Sequence, residues 1–305
     1  DHGHDHHGHS HAPANFGKAF AIGVFLNASF VVLEVVYGLY AHSLALVADA
    51  GHNLSDVFGL LLASGATVWV RRLPTSRHTY GLRRTSILAA LCNAVFLLVS
   101  VGVIGWEAIR RLRDPAPVAA QTMIWISLTG IAINTITALM FMSGRKGDLN
   151  VHAAFQHMAA DAVISAGVVL AGFGIVFTGW LWLDPMVSLI LVAVIIAGTW
   201  SLLRDSFNLA LDGVPAGIDM DGVRAYLISL PGVIDVHHLH IWGLSTSDVA
   251  LTAHIVLAAD RTDNALLSTI NRDLSERFRI GHATIQFEDA NFPECSSKEC
   301  RSVTV

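Results

Sequence analysis

The sequence predicts a membrane all-α protein, a six-helix transmembrane bundle, followed by a C-terminal α+β domain of the order helix-strand-strand-helix-strand. Three observations support this fold class. Hydrophobic residues make up 53% of the 305 residues and charged residues only 14%, whereas an average soluble protein is about 25% charged. The apolar residues are concentrated in residues 16–205. Residues 206–290 have an ordinary globular composition, so the chain is not soluble over its whole length.

The first segment, residues 1–15, is polar and contains histidines that alternate with Asp, Gly and Ser. These histidines are His2, His4, His6, His7, His9 and His11. This composition cannot form a packed core and is typical of a disordered metal-binding tail. The alternative is a purification tag, although tags are usually unbroken histidine runs.

Six apolar stretches are long enough to cross a bilayer, which takes about 20 helical residues. They cover roughly residues 17–40, 44–70, 85–108, 122–142, 152–178 and 183–204. Basic residues near span ends favour the cytoplasmic side, and they occur in the second-to-third and fourth-to-fifth links. These are Arg71, Arg72, Arg77, Arg83, Arg84, Arg145 and Lys146. Both termini are therefore predicted to be cytoplasmic.

Three arginines oppose this orientation, because they end span three on the predicted outer side. They are Arg110, Arg111 and Arg113. Their long side chains can snorkel to the interface, which makes this position tolerable. The larger number of basic residues in the other two links therefore still determines the predicted orientation.

One four-residue spacing occurs in two separate spans: His52 with Asp56, and His157 with Asp161. Residues four apart lie on one face of a helix, one turn apart. If spans two and five touch, two nitrogens and two oxygens suffice for a tetrahedral zinc site. Ionisable groups within a membrane are costly and indicate function. The alternative is two unrelated polar pairs, which the repetition of the spacing disfavours.

Five further polar residues lie within the spans: Glu34, Asp49, Asn27, Asn93 and Asn134. Asp49 is three residues before His52, so it either guides ions to the site or is a helix-end carboxylate. The asparagines are expected to link helices by hydrogen bonds, which is common in bundles. For Glu34, helix linking and a water-filled path both remain open.

The C-terminal part reads as helix 219–230, strands "VIDVHHLHIWGL" and "DVALTAHIVLA", helix 262–278 and strand "ATIQFED". Its metal-ligating side chains concentrate on the strands, at His237, His238, His240, His254, His282 and Glu288. Strand alternation predicts His238 and His240 on one face and His237 on the other. This density favours a regulatory metal site over plain surface histidines.

Two weaker metal signals lie outside these elements. Cys295 and Cys300 form a single C-x4-C pair in the last segment, residues 291–305, which is predicted to be flexible. This spacing is looser than that of most zinc knuckles. His78 lies in the arginine-rich link, where a lone histidine is usually solvated.

The pattern as a whole resembles the cation diffusion facilitator family. The resemblance rests on the His-rich tail, the two H-x3-D spans, Asp184-Pro185 opening span six, "LDGVP" at 211–215 and "VHHLHIWGL". It covers essentially the whole chain and is strongest for the zinc-transporting branch, including bacterial cobalt–zinc–cadmium resistance exporters.

This resemblance implies a homodimeric antiporter that exports Zn²⁺ for H⁺, with a metallochaperone-like cytoplasmic domain where metal tightens the dimer. It implies a transport site of His52, Asp56, His157 and Asp161. Histidine at both first positions is the pattern associated with zinc over manganese or iron. The resemblance also implies cytoplasmic ligands at His237, His254 and Glu288.

The chain departs from some bacterial members in the link between spans two and three. An Asp and two His are found there in those members. The matching stretch here keeps only His78, with Thr75 and Leu82 at the other positions. A complete second metal site in this link is therefore not expected.

The sequence thus predicts a multi-pass Zn²⁺/H⁺ antiporter, not an enzyme, of a bacterial inner membrane, with Co²⁺ or Cd²⁺ as further substrates. Its formal net charge of −5 gives no signal for nucleic acid. A membrane metallohydrolase is disfavoured because H-E-x-x-H is absent and the ligand pairs lie in apolar spans. A metal sensor that binds without transporting stays open.

Overall fold

The computed structural model describes residues 14–70, 74–142, 149–258 and 264–289. It contains six long helices, then a short helix, two strands, a helix and a strand, which confirms the predicted order. The long helices are α1 (Ala14–Tyr40), α2 (Leu44–Val70), α3 (Thr85–Arg113), α4 (Ala120–Met142), α5 (Leu149–Thr178) and α6 (Leu183–Ala210). The remaining elements are α7 (Met220–Ile228), β1 (Val233–Gly243), β2 (Val249–Leu257), α8 (Asn264–Phe278) and β3 (His282–Asp289).

Helices α3, α4, α5 and α6 have described segments that are long and apolar enough to cross a membrane. In α1 the corresponding segment, Phe25–Tyr40, is shorter. In α2 the side chains from residue 60 onward lie outside the described residues. The helix boundaries agree with the six predicted spans to within three residues, apart from two ends: α3 continues to Arg113 rather than ending near residue 108, and α6 continues to Ala210 rather than ending near residue 204.

The described residues divide into two compact units, of which the first lies within 1–58 and 96–198. Within it, α4 packs along α5 and also contacts α1. Small residues permit this approach, because a Cβ at Gly130 would lie 2.7 Å from Phe30 Cζ and one at Gly172 only 2.6 Å from Ile124 Cγ1. Close packing at small residues is how helices associate in a bilayer.

The turn before α2 is held by α6. The Asp184 carboxylate accepts hydrogen bonds from the Ser43 hydroxyl and from the backbone N–H groups of Leu44 and Ala45. These N–H groups have no partner within their own helix, since they belong to its first turn. Asp184, which lies on α6, therefore caps the N-terminus of α2, the helix that carries His52 and Asp56.

The same turn contacts one of the arginines at the C-terminal end of α3. Arg111 donates a hydrogen bond to the His42 carbonyl and pairs with Glu107, one turn earlier in α3. Arg110 pairs with the same glutamate at 3.1 Å. Two of the three positive charges at this end of α3 are thus partnered by a carboxylate of their own helix.

The second unit comprises residues 59–95 and 199–305. Its sheet has the order β1-β2-β3, with β2 antiparallel to β1 and parallel to β3. Helices α7 and α8 cover the sheet through a core that includes Leu227, Leu251, Ile255, Ile270 and Leu274. Burying each such side chain contributes roughly 1.5–3 kcal/mol, which fixes the relative positions of the three strands.

Also within the second unit, the start of α3 is tied to the segment after α6 and to the β1–β2 loop. Arg84 pairs with Asp212, and Arg83 lies 3.6 Å from Asp248. The Ser86 hydroxyl accepts a hydrogen bond from the Thr246 N–H. Exposed ion pairs contribute little stability individually, so these contacts serve mainly to orient the segments.

Candidate metal-binding sites

The two H-x3-D pairs meet in the first unit, where α2 and α5 bring them face to face. His52 Nε2 lies 3.6 Å from Asp56 Oδ2 and 3.7 Å from Asp161 Oδ1. His157 Nε2 lies 3.2 Å from Asp56 Oδ2 and 3.6 Å from Asp161 Oδ2. Each imidazole therefore faces both carboxylates, and we call these four residues the intramembrane cluster.

The four imidazole-to-carboxylate separations are close to those around a tetrahedral zinc ion, and ligand atoms of His52, His157 and Asp161 all lie within 4.8 Å of one another. With Zn–N and Zn–O bonds of about 2.0–2.1 Å, ligand atoms in a tetrahedron lie about 3.3 Å apart. Asp56 Oδ2 and Asp161 Oδ1 are buried and make no hydrogen bond to any described residue. Buried polar atoms without partners are costly, so a cation or protons would satisfy this arrangement.

The cluster is unevenly exposed. The Asp161 side chain is 2% exposed and that of His157 40%. His52 and Asp56 lie between these values. A cation could therefore reach the cluster past His157, whereas Asp161 lies on the buried side of the cluster.

Behind the cluster lies a second polar layer formed by α1, α2 and α5. Glu34 and Asp49 are both fully buried. Asn53 Nδ2 donates to Glu34 Oε2 at 3.1 Å, and the Ser165 hydroxyl donates to Asp49 Oδ2 at 3.1 Å. The question left open for Glu34 is thus answered in part: it is linked to α2 through Asn53. Asp49 is buried and is the sixth residue of α2, so it lies beyond the first turn of the helix.

The three asparagines of the spans differ in their surroundings. Asn27 Nδ2 contacts Met158 Sδ at 3.5 Å, which links α1 to α5 as expected. Asn134 is fully buried, and neither end of its amide bonds to a described residue. Asn93 lies beside Gly59, where an added Cβ would come within 3.0 Å of its Nδ2.

A second group of metal-ligating side chains crosses the three strands of the sheet. His237 on β1 pairs with His254 on β2, and Glu288 lies on β3 two residues beyond Gln286, the partner of His254. Glu288 Oε1 lies 2.7 Å from His254 Nδ1, and Oε2 lies 3.2 Å from His237 Nε2. Gln286 donates to Glu288 Oε1 at 3.0 Å. We call His237, His254 and Glu288 the sheet cluster.

Strand alternation was wrong at β1. The register is irregular between His237 and His240, and His238 has a positive φ of 48°. A bulge of this kind re-aims side chains. His237 and His238 therefore both flank His254, at ring-centroid distances of 5.4 and 4.9 Å.

Two histidines considered for the sheet cluster lie apart from it. His240 is exposed and its ring neighbours that of His238, at 6.1 Å. His282 pairs with Ala250 at the opposite end of β3 from Glu288, six residues or about 20 Å along the strand. Its ring instead contacts Tyr80 at 5.6 Å. The parallel β2–β3 register thus excludes His282 from the cluster.

The remaining candidates are not brought into either cluster. His78 lies on an exposed turn, where its N–H and carbonyl bond to those of Thr75. The tail histidines from His2 to His11 lie outside the described residues, as do Cys295 and Cys300.

Sequence reasoning missed the cap by Asp184 and the contact between Glu34 and its partners on α2. In the sequence, Asp184 stands out only as part of the dipeptide that opens span six. A carboxylate at the start of a span facing a Ser-containing turn was the available signal. For Glu34, the signal was a carboxylate in an otherwise apolar helix, with two possible partners in α2.

Comparison with known families matches both parts of the chain. Residues 20–209 match the cation efflux transmembrane domain, and residues 215–290 match the cytoplasmic domain of cation efflux proteins.

Three relatives align over nearly their full length. The chain is 36% identical to the zinc transporter ZitB of Escherichia coli (strain K12), covering 96% of this chain and 95% of that protein. It is 35% identical to the metal cation efflux system protein CzcD of Cupriavidus metallidurans, covering 92% and 90%. It is 32% identical to a cadmium, cobalt and zinc/H(+)-K(+) antiporter of Bacillus velezensis, covering 98% and 96%.

Proposed function

Because this chain belongs to the cation efflux family, we propose that it exports Zn²⁺ from the cytoplasm in exchange for protons. It is a multi-pass integral membrane protein and a metal cation efflux transporter. The zinc named for the ZitB relative supports zinc as substrate, and the antiporter named in Bacillus supports proton coupling. Cd²⁺ and Co²⁺ accept similar ligands and are further substrates.

The observation that carries this proposal is the intramembrane cluster. Two imidazole nitrogens and two carboxylates lie at tetrahedral spacing on helices of the bundle. Transport then requires that the bundle expose this cluster first to the cytoplasm and later to the other side. Zinc is the cargo at this site, so its ligands must both bind it and release it.

Proton coupling follows from the chemistry of the ligands. Imidazole and carboxylate bind metal only in their deprotonated forms, so metal and protons compete for the same atoms. When protons enter the cluster from the outer side, they displace the zinc ion. When zinc enters from the cytoplasm, it displaces the protons.

The other parts of the chain are assigned capture and sensing roles in this proposal. The His-rich segment 1–15 concentrates zinc near segment 16–205, which transports it. Segment 206–290 is cytoplasmic, and zinc at the sheet cluster tightens a homodimer. The match to the cytoplasmic domain of cation efflux proteins supports this division. Both termini then face the cytoplasm of a bacterial cell.

The test is zinc entry into sealed proteoliposomes with the internal pH recorded at the same time. The wild-type chain should move zinc in and protons out. His52→Ala and Asp161→Ala should abolish zinc entry, since each removes one of four ligands, while His240→Ala should leave it unchanged because that side chain is exposed outside both clusters.

Three results would contradict the proposal. Zinc entry at the wild-type rate in either ligand variant would show that zinc crosses elsewhere. Zinc entry with no change in internal pH would remove the proton coupling. Tight zinc binding by the wild-type chain with no flux would favour a metal sensor.

A further inference from the structure

Glu34 and Asp49 form a carboxyl pair that the ligand set of the intramembrane cluster does not use. Glu34 lies on α1 and Asp49 on α2, with exposed fractions of 0% and 1%. Asn53, which donates to Glu34 Oε2, follows Asp49 by four residues on α2, so both lie on the face of α2 that meets Glu34. No Lys or Arg occurs among the described side chains of α1, in α4, or in the first unit's part of α2. No cation from these helices therefore balances the pair.

Each carboxyl group has one oxygen bonded and one without a partner. The Asn53 amide donates a hydrogen bond to Glu34 Oε2, and the Ser165 hydroxyl donates one to Asp49 Oδ2. Glu34 Oε1 and Asp49 Oδ1 are buried and make no hydrogen bond to a described donor. Two ionised carboxylates only accept hydrogen bonds, so both oxygens can be satisfied only if something is added between them. A single proton does this, because it makes one group the donor and the other the acceptor.

We infer that Glu34 and Asp49 together hold one exchangeable proton, which zinc displaces when it binds the intramembrane cluster. Two carboxylates side by side in a dry site do not both ionise, so the pair carries one negative charge and one proton while the cluster lacks zinc. This inference rests on the proposed zinc transport and adds a proton site that is separate from the zinc ligands.

The position of the pair explains how zinc acts on it. Asp49 precedes His52 by three residues and Ser165 follows Asp161 by four, which is about 4.5 and 6 Å along the helix axes. Among the described residues, the other ionisable groups whose charge acts on the pair are His52 and Asp161, both in the cluster. Helix α4, which packs on α1, has no titratable residue.

The exchange balances in charge and atoms. Before zinc binds, the pair holds one proton between Glu34 Oε1 and Asp49 Oδ1. A divalent cation about one turn away acts strongly on the charge of the pair in a medium of low dielectric constant. The proton therefore leaves to the water on the side of the membrane to which the cluster is then open, and the pair becomes doubly negative. When zinc departs, the pair takes a proton back. For each zinc ion transported, one proton thus moves in the opposite direction by way of this pair.

The test counts the protons released per zinc ion bound by the full chain in detergent. Zinc is titrated calorimetrically in buffers of different ionisation enthalpy, so that the buffer reports the released protons. Glu34→Gln and Asp49→Asn keep the shape of each side chain and replace an acid with an amide. An amide can donate to the remaining carboxylate, so no exchangeable proton is needed.

Each single variant should release about one proton fewer per zinc ion than the wild type, and the double variant should lose no more than either single one. This follows because both residues share one proton. Protons released at the sheet cluster are common to all proteins and cancel. Asp114→Asn removes an exposed carboxylate and should match the wild type.

A merely structural role for the pair would not change this count at unchanged zinc stoichiometry. Wild-type proton release in the variants overturns the inference, as does a double variant that loses twice as much. Loss of a bound zinc ion along with the proton would make the pair a metal site instead.

Should the variants fail to fold, infrared difference spectra of the wild-type chain decide the question. Zinc should bleach the carbonyl stretching band of a protonated carboxylic acid, and no bleach would overturn the inference. Failure of the proposed function looks different, because wild-type proteoliposomes would then move no zinc at all.

Discussion

The intramembrane cluster and the sheet cluster use the same two ligand types, yet they differ in how completely the protein itself satisfies them. In the sheet cluster, Glu288 receives Gln286 at 3.0 Å and lies 2.7 Å from His254. In the intramembrane cluster, the buried atoms without a hydrogen bond to a described residue include the carboxylate oxygens Asp56 Oδ2 and Asp161 Oδ1, whereas in the sheet cluster such an atom is the imidazole nitrogen His237 Nε2.

This difference indicates two uses of metal. A buried carboxylate without a partner favours occupation by a cation or a proton at all times. Under the proposed antiport, zinc and protons alternate at the intramembrane cluster. The Glu288 carboxylate of the sheet cluster already has hydrogen-bonding partners and the cluster is only partly buried, so it can remain without metal at a lower cost. Under the proposed sensing role, its occupancy follows the cytoplasmic zinc concentration.

The largest effect expected from this comparison comes from changing the carboxylate of each cluster. Asp161→Asn should lower zinc flux by more than about 100-fold, since even partners outside the ligand shell change metal affinity by about 10- to 100-fold. Glu288→Gln should reduce zinc bound by the C-terminal domain but change flux at saturating zinc by less than about threefold, because the proposed transport site is the intramembrane cluster. Flux is measured in proteoliposomes across a range of zinc concentrations.

Comparing these two variants also tests the assignment of roles. If Glu288→Gln stopped transport at saturating zinc as fully as Asp161→Asn, the sheet cluster would be part of the route or essential for folding. Circular dichroism of the purified variant separates these two causes. A zinc dependence shifted to higher concentrations, with an unchanged maximum, agrees with a sensing role.

The sequence was sufficient where helix geometry alone determines the outcome. The spacing of His52 to Asp56, and of His157 to Asp161, places each pair on one helix face whatever the tertiary structure. The apolar runs likewise predicted the long helices and the order of the smaller domain. The repeated spacing favours an arrangement in which α2 and α5 face each other, but only the packing of the bundle decides it.

Contacts set by strand register and helix packing could not be predicted. His282 was grouped with Glu288 because both lie on one strand, yet the parallel pairing with β2 places them at opposite ends. The bulge at His238 broke the alternation expected for β1. Glu34 on α1 meets Asn53 on α2 only through the packing of the bundle, and no local pattern encodes that contact.

A smaller effect should come from Gln286, which is not a ligand but donates to Glu288 Oε1. Gln286→Leu removes this bond and frees the carboxylate to rotate, so zinc affinity at the sheet cluster should fall by about 10-fold. Zinc flux at saturation should be unchanged. Thr284→Val, two residues away on β3, is the matched control for calorimetric zinc binding. Equal affinity in both variants would mean that Glu288 is positioned by the histidines alone.

The smallest effect concerns the fold that carries the sheet cluster rather than the cluster itself. The Tyr226 hydroxyl on α7 donates to Asp273 Oδ2 on α8 at 2.9 Å. Burial and this bond raise the pKa of Tyr226 to about 12, and the same bond, with Arg272 nearby, lowers the pKa of Asp273. Tyr226→Phe should therefore speed hydrogen exchange of α7 and α8 amides by about fivefold near neutral pH, the factor expected for one ordinary hydrogen bond.

The acid dependence of this effect has a definite sign. Because the pKa of Asp273 is lower in the folded chain, the stabilisation is complete above its ordinary value of 3.8 and is lost as pH falls through the folded value. The difference between Tyr226→Phe and wild type should therefore shrink in acid, after correction for intrinsic exchange rates. Tyr80→Phe, at an exposed tyrosine, is the control. Exchange in α2 and α5 should match the wild type in both variants, since the intramembrane cluster does not depend on this bond. Faster exchange there would show that the two clusters are energetically coupled.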